Sequence, residues 1–232
     1  MQEPTRLFLL RHGQTAWNAE TRIQGQLDIP LDAIGLWQAE RLALALQDEG
    51  IQVLYSSDLQ RARQTAAPLA AATGLTVQTD AALRERSFGS FEGSTYAEVQ
   101  ARWPGDALRW RLREPDFAPG GGEPLQAFYD RSVRAVWALA ERHAGQTLAV
   151  FSHGGVLDCL YRAACHIDLR GTRTWQVANA TINRLLWTPE GFSLVGWNDA
   201  GHLEGKRDVV LNRASRRGTG FAGPLADGPL GG

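Results

Sequence analysis

Two apolar runs that each end on a histidine and a glycine constrain this chain more than any other feature. The first is Leu7-Phe8-Leu9-Leu10, followed at once by Arg11-His12-Gly13. The second, Thr147-Leu148-Ala149-Val150-Phe151, runs into Ser152-His153-Gly154-Gly155. Short unbroken apolar runs read as strands buried on both faces, the pattern of parallel sheets covered by helices. In open α/β sheets, ligands bind beyond the carboxyl ends of the strands. A fixed guanidinium beside an imidazole, on backbone that glycine leaves unobstructed, suits an oxyanion such as phosphate. One such strand end has a plainer reading, polar residues at a surface. Two from the same sheet edge are harder to dismiss.

The rest of the chain reads as a frame around those two ends. Residues 21–30 form a loop carrying Arg22, Gln24 and Gly25. Leu36, Ala39, Leu42, Ala43 and Leu46 recur at helical spacing before Gly50, which ends the helix. Residues 51–57 read as a second strand, with Asp58 in N-cap position for a helix over 59–73, and 76–79 as a short strand. Residues 96–112 read as a helix broken at Pro104-Gly105, an insertion rich in Trp and Arg; further helices follow over 125–143 and 156–165. Two β-rich runs, 180–187 and 192–197, flank the turn Pro189-Glu190-Gly191 and read as antiparallel neighbours. The expected fold is a three-layer α/β/α sandwich. Its central sheet is mostly parallel, of about six strands with one antiparallel edge strand, and a helical insertion near 94–124 lies over the active site. The domain is expected to span 1–212. From Arg213 onward Gly, Pro, Ala, Ser and Arg dominate, and disorder is expected over 213–232.

Composition removes several function classes. A formal net charge of −1 over 232 residues leaves no electrostatic footprint for nucleic acid or an anionic membrane. The chain enters its first strand with no apolar leader, and no apolar run approaches the ~20 residues a bilayer needs. Cys159 and Cys165, six apart on a helix, lie on different faces and read as buried thiols. A reducing, cytoplasmic setting is expected. Lys206 is the only lysine, and Gly205-Lys206-Arg207 fails the P-loop pattern, so P-loop nucleotide chemistry is excluded and Schiff-base chemistry disfavoured.

Asn18 and the segment Ser57-Asp58-Leu59-Gln60-Arg61-Ala62-Arg63-Gln64-Thr65-Ala66 join the two strand ends into a larger pattern. Together they resemble the histidine phosphatase superfamily, its phosphoglycerate-mutase-like branch in particular, from about Leu7 to His202. The resemblance implies that His12 is the nucleophile, that Arg11 and Arg61 grip the phosphoryl group, and that His153 stabilises the transition state. It implies substrate contacts at Arg11, Asn18, Gln24, Gly25, Arg61 and Gly154. The segment Arg22–Leu31 is expected to close over the substrate beside the phosphate pocket. Glu85-Arg86-Ser87-Phe88-Gly89-Ser90-Phe91-Glu92-Gly93 is similar to the family's acid segment, which makes Glu85 the proton donor and Glu92 the second candidate. Pro124 departs from the family's Ser after Glu123, a change tolerated in a first helical turn.

Phosphoryl transfer needs charge held around the equatorial oxygens and a nucleophile in line with the leaving oxygen. Imidazole attacks only when neutral, and nearby arginines disfavour its protonated form. A backbone carbonyl or similar acceptor must fix the tautomer. The residues alone leave His12 and His153 interchangeable; the resemblance selects His12. His143, His166 and His202 read as structural or surface groups. Because neither His-x-His nor His-Glu-x-x-His spacing occurs, no metal and no cofactor is expected. The mutase members carry a tyrosine in the acid segment and a lysine after it. This chain has neither, so the resemblance favours a phosphomonoester hydrolase acting through phosphohistidine. The alternatives are a cofactor-dependent phosphoglycerate mutase and a non-catalytic phosphate-binding module. The partner expected is a small phosphorylated metabolite; sugar phosphates, phosphoglycerate derivatives and nucleotide-pathway phosphates all fit. Trp103, Arg109, Trp110, Arg111 and Arg113 mark the insertion as a lid, its aromatics either stacking on substrate or forming the insertion's own core.

Overall fold

The computed structural model describes residues 3–204. Its first half holds β1 (Thr5–Arg11), a single-turn α1 (Ala16–Ala19), α2 (Ala33–Leu46), β2 (Val53–Ser56), α3 (Gln60–Thr73) and β3 (Val77–Thr79). The second half holds α4 (Tyr96–Arg102), α5 (Pro104–Arg111), α6 (Leu125–Arg142), β4 (Thr147–Ser152), α7 (Gly154–Cys165), β5 (Ile182–Thr188) and β6 (Gly191–Asp199). The strands form one sheet in the order β3-β2-β4-β1-β5-β6. Pairing is parallel from β3 through β1, and antiparallel from β1 to β5 and from β5 to β6. The strand that runs against the others is therefore β5, one place in from the edge, with β6 hairpinned outside it.

The alternation of the central strands explains the layers. Leu7, Leu9, Leu148 and Val150 point to one face, where α6 and α7 supply Val136, Leu139, Leu157 and Leu160. Phe8, Leu10, Ala149 and Phe151 point to the other, against Leu42, Leu46, Ala66 and Leu69 of α2 and α3. With side chains buried on both faces, the central strands need the apolar runs that their sequences show. Register then places the site: Leu7 pairs with Leu148 and Arg11 with Ser152, so β1 and β4 end level.

The insertion is a small aromatic core of its own. Phe91, Val99, Ala107 and Phe117 are buried together, with Trp103 and Trp110 packed against them. Trp103 stacks on Phe91 at 5.1 Å between ring centroids. Of the two readings of the insertion's aromatics, the internal core accounts for Trp103. Trp110 packs on Phe88 and also lines the site cavity.

One helix start differs from expectation. Leu59, not Asp58, is the N-cap of α3, and it makes no side-chain cap bond. Asp58 instead pairs with the Arg84 fork at 2.7 and 2.6 Å. A carboxylate gains more from a bidentate guanidinium than from one backbone N–H. The open N–H of Gln60 is met from a distance, by Asp28 Oδ1 at 2.6 Å. Cys159 is a buried thiol and Cys165 a half-buried one, both unpaired. No helix among the described residues is long and apolar enough to cross a membrane. The expected domain end at 212 and the disorder expected over 213–232 lie outside the described residues.

Candidate active site

Level strand ends bring the two histidines face to face. Their ring centroids lie 5.3 Å apart with the planes tilted by 57°. The Nδ1 of His12 lies 2.7 Å from the Gly13 carbonyl. A carbonyl only accepts, so the ring proton sits on Nδ1 and the lone pair on Nε2. No described residue bonds that Nε2. The turn beneath it is held by Gly13 N–H donating to Thr65 Oγ1 at 2.9 Å and by Asn179 Nδ2 donating to the His12 carbonyl at 3.0 Å. Gly13 is required there, because a Cβ would sit 2.6 Å from the Gly35 carbonyl oxygen.

His153 precedes the first turn of α7 and is fully buried. Its Nε2 shares a 2.8 Å hydrogen bond with Ser57 Oγ. Both imidazoles are held well below the ordinary histidine range. Burial is the largest cause for each, with Arg61 next. Both rings are therefore neutral at pH 7, as a nucleophile must be. The sequence points to the neighbouring charges of Arg11, Arg61 and His153; desolvation of the strand ends outweighs them.

Arg61 is fully buried and Arg11 half-buried with its Nε shielded from solvent; desolvation pushes each down to about 10 and still leaves it charged at neutral pH. Arg11 donates from Nη1 to the Val177 carbonyl at 2.5 Å, and its buried Nε has no partner among the described residues. Arg61 donates from Nη1 to Leu27 O and from Nη2 to Gly25 O, both at 2.8 Å, and its Nε likewise has no partner among the described residues. Thus Arg61 anchors the 24–27 loop as well as charging the site. Gly25 takes part through its carbonyl, with φ of 51°. Gln24 beside it is buried, its Oε1 without a partner among the described residues. Asn18 completes the capping box of α1, its Oδ1 accepting from Thr15 N and from Asn179 Nδ2 at 3.1 and 3.2 Å. Its amide donor stays open among the described residues. Gly154 lies so close that an added Cβ would be 3.4 Å from Arg11 Nε.

Glu85 reaches the N-terminus of α7, where Gly155 N–H donates to Oε2 at 3.0 Å; Arg86 N–H donates to Oε1 at 3.0 Å. A Cβ on Gly155 would lie 2.2 Å from that carboxylate. Glu92 does something else: one oxygen accepts from Gln26 N at 3.1 Å and Phe88 N at 2.9 Å, tying the 24–27 loop to the acid segment. A cavity of about 290 Å³ has Arg11, Glu85, Arg86, Trp110, Gly154 and Arg173 in its wall; it reaches the chain neighbours of the two histidines but not their rings.

The structure thus brings together His12, His153, Arg11, Arg61, Glu85 and Gly154, with Asn18, Gln24 and Gly25 at the rim. His143 lies elsewhere, bonded to Tyr55 and Gln146. No group of three or more His, Cys, Asp or Glu able to hold a metal occurs among the described residues. Sequence reasoning missed Ser57, Thr65, Gly155 and Asn179. The first two lay within the segment that carried the resemblance, and their hydroxyls were the available signal. Asn179 stands in a loop without pattern.

Residues 7–200 match the family model for the histidine phosphatase superfamily, branch 1. The chain belongs to that superfamily. Phosphoglycerate mutase-like protein 4 of Arabidopsis thaliana is 37% identical over 202 residues, covering 85% of this chain and 86% of that one. Metal-independent phosphoserine phosphatase of the same plant is 34% identical over 204 residues, covering 87% and 84%. A mycobacterial glucosyl-3-phosphoglycerate phosphatase superposes with a TM-score of 0.75 at 33% identity, over 84% of this chain and 99% of that one.

Proposed function

We propose that this chain is a metal-independent phosphomonoester hydrolase that works through a phosphohistidine on a small phosphorylated metabolite. One observation carries the reading: the Gly13 carbonyl claims the Nδ1 proton of His12 and so leaves Nε2 unprotonated, on a ring 5.3 Å from a second imidazole and kept neutral by burial, Arg61 and Arg11. In the first step Nε2 attacks phosphorus and the P–O ester bond breaks. Glu85 gives its proton to the departing alkoxide. In the second step the Glu85 carboxylate takes a proton from water, which attacks phosphorus; the P–N bond breaks and inorganic phosphate leaves. Arg11 and Arg61 hold the charge of the equatorial oxygens through their open Nε–H groups, with His153 beside them. The names of two relatives, a phosphoserine phosphatase and a glucosyl-3-phosphoglycerate phosphatase, support hydrolysis. Phe88 in place of the mutase tyrosine supports it too. The unpaired cysteines fit a protein of the cytoplasm.

A mutase is the second reading, favoured by the name of the Arabidopsis mutase-like relative. Release of phosphate from p-nitrophenyl phosphate in EDTA, abolished in His12→Ala, is the expected result. Acid-labile label on His12 during turnover accompanies it. Primer-dependent interconversion of 2- and 3-phosphoglycerate, faster than phosphate release, would establish the mutase instead. Phosphate binding without either activity would leave a binding module.

A further inference from the structure

The carbonyl that sets the His12 tautomer belongs to a glycine, the residue whose backbone is least confined by its own sterics. Its neighbours must hold it. Thr65 Oγ1 accepts from Gly13 N–H at 2.9 Å on one side. On the other side stands the loop between α7 and β5, whose residues 177–180 lie along the end of β1. Val177 O accepts from Arg11 Nη1, and Ala180 N–H donates to Arg11 O at 3.1 Å and to His12 O at 3.2 Å. Ala180 is fully buried with φ of 54°, a left-handed conformation that alanine takes only where its surroundings impose it.

That backbone carries Asn179 against the nucleophile turn. Its Nδ2 lies 3.0 Å from His12 O, 3.3 Å from Gly13 O and 3.2 Å from Asn18 Oδ1. Carbonyl oxygens only accept, so the amide nitrogen must face the two backbone groups. Two protons then serve three acceptors. Asn18, facing a donor, presents its oxygen, which Thr15 N–H also meets at 3.1 Å. The Nδ2 of Asn18 is thereby left to meet a phosphoryl oxygen. Asn179 is the one side chain among the described residues that hydrogen-bonds both the tautomer-setting carbonyl and Asn18.

We propose that Asn179 is a positioning residue for the reaction proposed above. By holding two successive carbonyls it keeps Gly13 O on the Nδ1 proton of His12, so that Nε2 keeps its lone pair. The inference rests on the hydrolase reading for what the nucleophile does, whereas the tautomer can be read without turnover. When Nε2 takes the phosphoryl group the ring gains positive charge, and its Nδ1–H bond to Gly13 O strengthens. An interaction that grows towards the transition state acts on kcat more than on KM. Asn18 keeps its bonds to Thr15 without Asn179, so substrate affinity changes little.

Asn179→Ala and Asn179→Leu both delete the donor, and leucine keeps most of the volume. Each variant is measured by steady-state kinetics with p-nitrophenyl phosphate and by 15N–1H correlation spectra of the imidazole rings. The chain has five histidines, and the signals missing from His12→Gln are those of His12. Expected are a kcat about tenfold lower with KM within about twofold, and a population of His12 protonated on Nε2 that the wild-type protein lacks. Asn198→Gly is the control. Asn198 Oδ1 accepts from Ala178 N–H at 2.8 Å, so its loss loosens the same loop away from His12, and glycine adopts the φ of 55° there. This control should lower the urea midpoint while leaving kcat within about twofold and the His12 tautomer intact. A kcat lowered no further in the Asn179 variants than in Asn198→Gly overturns the assignment. A His12 ring still wholly protonated on Nδ1 in both Asn179 variants, or a raised KM at unchanged kcat, overturns it equally. Should the wild-type protein turn over no ester, the hydrolase reading fails by itself, and the His12 tautomer in wild type and variants still decides the role of Asn179.

Discussion

His12 and His153 face each other across 5.3 Å, and each is pinned by a different neighbour: a carbonyl on Nδ1 of the first, a hydroxyl on Nε2 of the second. Two imidazoles this close cannot both carry charge in a buried space, and burial keeps both neutral. The rest of the site is arranged to hold that pair and to offer cations to whatever oxyanion enters beside it.

The neutral pair makes stability depend on pH. Each folded-state value lies below the ordinary 6.5, so the unfolded chain takes up protons first as pH falls through that value. Stability is then full above pH 6.5 and is lost below it, by about 1.4 kcal/mol per pH unit for each histidine. Urea unfolding at pH 7.5, 6.5 and 5.5 should show the midpoint dropping between the last two, with a shallower drop in His12→Gln. A midpoint independent of pH over that range would contradict the burial of the pair.

Ser57→Ala removes the hydroxyl that pins His153. One net hydrogen bond is worth about 0.5–1.5 kcal/mol, so kcat should fall roughly 2- to 10-fold. KM for p-nitrophenyl phosphate should move less, since the arginines that bind phosphate are untouched. Steady-state kinetics separates the two effects.

Gly25→Ala strikes the loop that Arg61 holds. The residue has φ of 51°, and a Cβ would lie 2.1 Å from Glu92 Oε1. Backbone strain of about 1–3 kcal/mol is expected, together with a loss of kcat/KM because the Gly25 carbonyl positions Arg61. Gly50 provides the control: its φ is 67°, yet nothing lies within 4 Å of a Cβ there. Gly50→Ala should reduce stability while leaving kcat/KM alone, as read from parallel denaturation and kinetic series.

Asp58 leaves the cap that its sequence position suggests, and Asp28 supplies it. Asp28 caps α3 from the distant loop, so Asp28→Ala should cost about 1 kcal/mol, the usual worth of an N-cap. Asp58 and Arg84 are about a third exposed, and solvent screening holds such pairs to roughly 0–1 kcal/mol. Denaturant midpoints of Asp28→Ala and Asp58→Ala should fall in that order. The opposite order would return the cap to Asp58.

Local chemistry was enough to place the strands, most helices and the residue types of the site. Apolar runs such as Leu7–Leu10 and Ala149–Phe151 announce strands buried on both faces because no other environment tolerates them. The His-Gly ends follow from the same runs. Tertiary structure decided whatever depends on partners distant in the chain. Asp58 turned to Arg84 because the acid segment brings a guanidinium fork to it. Glu92 became a clamp because the 24–27 loop folds back over it. The neutrality of the histidines comes chiefly from burial, which is a property of assembled layers. Arg86 in the acid segment and Arg113 in the insertion look unrelated along the chain; only packing brings both to the wall of one cavity. Period and residue type are written along the chain, whereas desolvation and charge balance exist only once its segments have packed together.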